Sequence, residues 1–353
     1  CEILFPGKEN GWHGAGYINS AKIVELALNN GRLMHIDGQL GPDYGSLRTY
    51  KTFDEVLEAV DKQFAYWCEQ IRGSNDVIDI AHREVKPLPY ISSMYEDCIE
   101  RGKCITEGGA KYNFTAPQAA GIATCADILS TIKQLVFEEK RITMGELKKA
   151  LEMNYGKGLD ATTAGDIAMQ VAKGLKDAGQ EVGPDVIANT IRQVLEMELP
   201  EDVRKRYEEI HEMILELPKY GNDIDEVDEL AREAAYFYTR PLETFKNPRG
   251  GMYQAGLYPV SANVPLGAQT GATPDGRLAH TPVADGVGPT SGFDISGPTA
   301  SCNSVAKLDH AIASNGTLFN MKMHPTAMAG EKGLESFISL IRGYFDQQGI
   351  LVT

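Results

Sequence analysis

The chain has 353 residues and a formal net charge of -15, long enough for one large domain or two of ordinary size. The acidic balance argues against a nucleic-acid surface, which needs clustered Lys and Arg, and no apolar run is long enough to cross a bilayer. The six cysteines are scattered without a C-x-x-C pair, which speaks against zinc, an iron–sulfur cluster or a disulfide framework. With no leader pattern at the start, a reduced, cytoplasmic protein is expected.

The sequence opens on "CEILFPGKENGWHGAGYINSAK". Cys1-Glu2 places a carboxylate beside a sulfur, where it could accept or return a proton while the sulfur does nucleophilic or radical work. The dipeptide alone is no signal; its company is Pro6-Gly7-Lys8, Gly11-Trp12-His13-Gly14, Tyr17 and Asn19. A helix is expected over 19–30, capped by Asn19 or Ser20, with Ile23, Leu26 and Ala27 on one face and Gly31 as its stop. A capping-box pattern at Thr52–Glu55 opens a second helix over 53–72, carrying Val56, Val60, Phe64, Trp67 and Ile71 at helical spacing. Helices follow over 126–139 and, after a second box at Thr143–Glu146, through Leu147 and Leu151.

From about 156 to 217 the sequence is rich in Ala, Lys and Glu, and reads as a surface-lying helical insertion that adds little to any cavity. A helix over 225–240 precedes a change of character. Asn247–Gly251, Gly271–Arg277, Asp285-Gly286 and Gly297–Ala300 are dense in glycine, with Val260, Val264, Val283 and Phe293 between them. Such text describes ordered loops with function, not a solvated linker. Strands are expected near 258–264 and 316–322. Phosphate loops, dinucleotide fingerprints and the G-x-S-x-G elbow are all absent, and the seven histidines include no H-x-x-x-H pair, so no metal site is expected.

These stretches together resemble the glycyl radical enzymes of the pyruvate formate-lyase-like superfamily. The resemblance runs through "GGAKYNF" (108–114), "DILSTIKQLVFEEKRIT" (127–143), "PKYGNDIDEVD" (218–228), "NPRGG" (247–251), "GATPDGRLAHTPVADGVGPTSGFDISGPTASCNSVAKLD" (271–309) and "NMKMHP" (320–325). It implies an α/β fold, part of a ten-stranded α/β barrel with peripheral helices. Residues 1–353 would form a partial barrel domain with the helical insertion at about 156–217, and the glycyl radical domain would be absent. The family's catalytic loop reads Cys-x-Glu before Pro-Gly-Lys and Gly-Trp-His. Counting back from Pro6 puts Glu2 at the glutamate, with the thiyl cysteine just before Cys1; the other register makes Cys1 the thiyl residue.

The resemblance further implies a glycyl radical on a residue outside this chain, since no Arg-Val-x-Gly-Tyr-like loop occurs here, so that these residues alone would be inert. That radical would be installed by an S-adenosylmethionine iron–sulfur activating enzyme. The thiyl would abstract hydrogen from a small organic substrate in a dry cavity, with Glu2 moving the proton. Tyr17, Gly14, His35 and Tyr258 are the candidate substrate contacts. Gly14 stands where diol- and choline-acting members carry Asp, and this, with the insertion, leans the reading toward an arylacetate-type decarboxylase. The alternatives are a diol- or hydroxyproline-type dehydratase, a choline-type lyase, a formate acetyltransferase, or an inactive barrel serving as a binding subunit. A homodimer is expected when full length.

Overall fold

The computed structural model describes residues 7–34, 38–46, 48–159, 161–197 and 199–347. Cys1, Glu2 and His35 lie outside the described residues. The first element is a short strand, β1 (Tyr17–Asn19), which runs directly into helix α1 (Ser20–Leu28). Asn19 makes that junction. Its side-chain oxygen accepts from Lys22 N at 3.2 Å, capping α1, while its amide donates to Leu266 O at 3.0 Å and Thr270 Oγ1 at 2.9 Å.

Helix α2 (Phe53–Val85) starts at Thr52 as expected but continues past residue 72. Gly73 does not break it, because a mid-helix glycine costs only about 1 kcal/mol and Asn75 and Asp79 beyond it are buried. Strand β2 (Gln118–Ala120) leads through Gly121 into α3 (Ile122–Thr131), fully buried, which continues as a π-helical stretch over Ile132–Glu138. Helix α4 (Met144–Glu152) has the capping box read from the sequence: Glu146 N donates to Thr143 Oγ1 at 3.1 Å and Thr143 N to Glu146 Oε2 at 2.9 Å.

Three helices occupy the insertion: α5 (Ala161–Asp177), α6 (Pro184–Leu195) and α7 (Glu201–Leu215). Only α6 buries no residue. Helix α5 buries Ala164 and Ala168, and α7 buries Ile210 and Ile214 in the main core, so the insertion is helical but not peripheral throughout. Helix α8 (Asp225–Leu242) packs on α3 and α2. Helices α9 (Asn263–Ala268), α10 (Pro298–Ala306) and α11 (Gly330–Asp346) follow.

The strands differ most from expectation. β1 and β2 are parallel, in register Tyr17↔Gln118, Ile18↔Ala119 and Asn19↔Ala120. Single parallel bridges extend the pairing at Glu9↔Tyr112, Trp12↔Thr115, Thr115↔Tyr253, Gln118↔Gly256 and Leu257↔Thr317. Four chain segments therefore run side by side in the same direction, near 9–19, 112–120, 253–257 and 317. Instead of a strand over 258–264, the chain leaves this array after Leu257 and enters α9; instead of a strand over 316–322, Thr317 makes one bridge. The packing is close enough to demand glycine: a Cβ on Gly256 would lie 1.9 Å from Gln118 Oε1. The described residues form a parallel, helix-backed α/β array; ten strands are not among them.

Candidate active site

The opening loop is held in place by an arginine from the Asn247–Gly251 turn. Arg249 and Asp79 are both buried, with Nε donating to Asp79 Oδ2 at 3.1 Å. The other guanidinium nitrogens donate to Asn10 O at 2.5 Å, Phe114 O at 2.6 Å and Thr115 Oγ1 at 3.0 Å. The guanidinium carbon also lies 5.1 Å from the Trp12 ring centre. Burial pushes the Asp79 carboxyl up and the Arg249 guanidinium down, each partly offset by the other's charge. Asn247 shapes the turn itself: its amide donates to Asn113 O at 2.7 Å, and its oxygen accepts from the backbone of Arg249 and Gly251.

One step along the loop, His13 is the centre of a polar cluster. Nδ1 lies 2.8 Å from Asn315 Oδ1 and Nε2 lies 3.1 Å from Glu9 Oε1. The ring meets Phe114 edge-on at 4.7 Å. The His13 carbonyl accepts from Tyr258 Oη at 3.2 Å, from Asn315 Nδ2 at 3.3 Å and from Gln118 Nε2. Asn315 Nδ2 also donates to Tyr258 Oη at 2.7 Å.

Of the residues named from sequence, Tyr258 bonds the carbonyl of His13, one residue before Gly14. Tyr17 is close by: a Cβ on Gly14 would lie 3.9 Å from its hydroxyl, and the side chain is 42% exposed. Cys1, Glu2 and His35 are not described. Sequence reasoning gave no role to Glu9, Gln118, Asn315, Arg249 or Asp79. The "NPRGG" motif was the available signal for Arg249; nothing marked Gln118 or Asn315.

A cleft of about 870 Å³, whose lining includes Arg277, Thr281, Asp285, Asn320 and His324, is lined by none of His13, Gly14, Tyr17 and Tyr258. Gly276 and Arg277 belong to its wall, and the Gly271–Arg277 segment is hydrogen-bonded to itself and to Thr281. Arg277 donates to Thr273 Oγ1 at 3.0 Å and Thr281 O at 2.7 Å, and Thr273 Oγ1 donates to Asp275 at 2.5 Å. Behind it burial pushes Asp127 up to about 8, with Lys219 pulling the other way, and pushes the Lys219 ammonium down. The insertion touches this wall as well: His211 Nε2 bonds Gly276 O at 2.8 Å, and Thr163 Oγ1 lies 2.9 Å from His280 Nε2.

Among the described residues one carboxylate cluster has the spacing for a metal ion, Asp223, Asp225 and Asp228. Lys307 already serves it. Its ammonium lies 2.7, 2.7 and 2.8 Å from the three carboxylates, and its bond to Asp223 holds that acid below the usual range.

Residues 1–267 match the family model "Pyruvate formate lyase-like", and residues 283–353 match "Glycine radical". The chain belongs to the pyruvate formate lyase-like family. The two models divide the chain, where one barrel domain over 1–353 was expected. Among relatives, (2S)-3-sulfopropanediol dehydratase from Klebsiella oxytoca is 42% identical over 99% of this chain and 37% of its own length. A solved structure concerned with 1,2-propanediol dehydration in Roseburia inulinivorans superposes with a TM-score of 0.93 at 77% identity, over 99% of this chain and 41% of that one. Indoleacetate decarboxylase from Tractidigestivibacter scatoligenes matches at 30%, over 97% of this chain and 36% of its own length. The chain therefore spans somewhat over a third of the length of these relatives. The lean toward a decarboxylase is not favoured, because the dehydratases match at higher identity.

Proposed function

We propose that this chain is the substrate-loop portion of a glycyl radical dehydratase acting on a small vicinal diol. The observation that carries the reading is the 77% identity and 0.93 TM-score, over nearly the whole chain, to the structure concerned with 1,2-propanediol dehydration. The 42% identity to a sulfopropanediol dehydratase supports it, since both named substrates carry hydroxyls on adjacent carbons. The polar groups clustered at the loop are also of the kind that orders hydroxyls: a phenol at Tyr258 and carboxamides at Gln118 and Asn315.

In this reading the glycyl radical, installed by an S-adenosylmethionine iron–sulfur activating enzyme, would supply hydrogen abstraction through the loop cysteine. The chain's residues do the rest. Glu2, in the register set by Pro6-Gly7-Lys8, accepts a proton from one substrate hydroxyl and returns one to the departing hydroxyl, so that water and not hydroxide leaves. Tyr17 and Tyr258 contact the hydroxyls, Gly14 leaves room beside the Tyr17 phenol, and His35 is a further polar contact. A homodimer in the cytoplasm, activated by its partner enzyme and otherwise meeting only its small substrate, completes the reading.

The test uses the full-length protein, activated without oxygen. With 1,2-propanediol it should release propanal, and Glu2→Gln should lower turnover by about 10²–10⁴ while the radical's paramagnetic resonance signal persists. Carbon dioxide from an arylacetate, with no aldehyde from the diol, would sink the proposal.

A further inference from the structure

The cluster at His13 joins parts of the chain far apart in sequence. Asn315 is the pivot. Its amide nitrogen is committed to Tyr258 Oη at 2.7 Å and to the His13 carbonyl at 3.3 Å. Its oxygen is therefore the atom facing the imidazole, 2.8 Å from Nδ1, and Nδ1 must carry the proton. Glu9, buried one helical turn's length before His13, meets the other ring nitrogen at 3.1 Å. The ring is thus gripped at both nitrogens and backed by Phe114.

Gripping the ring fixes the backbone that carries it. The His13 carbonyl, the last peptide oxygen before Gly14, takes donors from three different segments: Gln118 on β2, Tyr258 after the third parallel segment, and Asn315 before the fourth. The Tyr258 hydroxyl gives its hydrogen to that carbonyl and accepts from Asn315.

We propose that His13 is the positioning residue of this site. Held by Glu9 and Asn315, it sets the turn at Gly14 and the direction of the Tyr258 phenol relative to one another, so that a substrate meets the two in a fixed arrangement. His13 does not touch substrate. The kinetic part of this inference rests on the dehydratase reading above; the structural part does not.

The experiment uses the full-length protein with His13→Phe, which keeps a ring against Phe114 but removes both nitrogens, with Asn315→Ala, and with the two combined. In the unactivated protein, amide hydrogen exchange over residues 14–19 should quicken by about tenfold in each single variant, one lost buried hydrogen bond being worth about that factor. In the activated enzyme kcat for the diol should fall by about tenfold with KM within about threefold, and the double variant should be little worse than the poorer single one, because both break one network. Glu9→Gln, whose amide keeps a hydrogen-bonding partner for Nε2, should stay near wild type where Glu9→Ala falls. If His13→Phe does not fold, Asn315→Ala reads the same network from its other end. Unchanged exchange overturns the proposal, as do additive kinetic losses or a lower melting temperature with unchanged kcat. If the wild type turns over no diol, the dehydratase reading fails, and the exchange result still decides the role of His13.

Discussion

Replacing Arg249 by Met should be among the most costly single changes available in this chain. It removes the partner of Asp79, whose side chain is 1% exposed, and leaves a carboxylate with no water to turn to. Breaking one side of a buried ion pair costs about 3–5 kcal/mol. The loss is compounded at Asn10 O, which gives up a charged donor at 2.5 Å, but moderated at Phe114 O, which still accepts from Trp12 N at 3.1 Å. Against an unfolding entropy of about 2.1 cal/mol/K per residue, a net loss of roughly 4 kcal/mol lowers the melting temperature by roughly 5 °C if the 353 residues unfold as one unit. Scanning calorimetry of the full-length protein at one fixed rate is the assay. The sign with pH is fixed by Asp79: burial already raises its folded pKa, and losing Arg249 raises it further. Its neutral form is the one the folded variant tolerates, so the deficit should be smaller at pH 5 than at pH 8. Adding Asp79→Asn to the variant should recover part of the loss by removing the stranded charge. A single variant within about 1 kcal/mol of wild type, or a double variant no better than the single, would refute the reasoning.

Asp127→Asn should stabilise the protein increasingly as pH rises, because burial holds the folded carboxyl at about 8 and its ionisation above the unfolded value near 3.8 works against folding. A melting-temperature difference from wild type that is flat between pH 5 and 8 would contradict this. Lys307→Ala should destabilise by about 1–3 kcal/mol at pH 7, with the deficit shrinking as Asp223, depressed by that lysine, takes up its proton in acid; the same loss at pH 3 and pH 7 would count against the charge account. Millimolar calcium should not raise the wild-type melting temperature, because Lys307 already fills the acidic cluster. Gly256→Ala should push the Gln118 amide from the His13 carbonyl and slow turnover, since the new methyl would begin 1.9 Å from Gln118 Oε1; unchanged kinetics would show that Gln118 contributes nothing there.

The helices were legible where local signals decide them. Thr143 and Glu146 bond as their spacing implies, and Val56, Val60 and Phe64 lie fully buried on one face of α2. The parallel array was not legible. Its contacts fall on Ala119, Ala120, Ala255 and Gly256, small residues of low strand propensity chosen for close approach, and most of its pairings are single bridges. The site was half legible. Gly-Trp-His stood out as a motif and located Gly14, yet apart from Glu9 the partners of His13 lie 105, 245 and 302 residues away, beyond any local pattern. Gly14 read as a missing carboxylate and, with the insertion, leaned toward a roomier arylacetate pocket. The higher identity of the dehydratases turned that lean around.

The most direct test of the dehydratase reading follows one hydrogen atom. Full-length protein, activated without oxygen, would be given 1,2-propanediol carrying two deuterium atoms at C1, and the product examined by deuterium and carbon-13 magnetic resonance. The account has the loop cysteine take deuterium from C1 and return it to C2 within a cavity closed to water. Propanal with one deuterium at C1 and one at C2 is therefore the expected product. Propanal whose C2 has gained only solvent hydrogen, or no propanal from an enzyme that carries its radical, would contradict it.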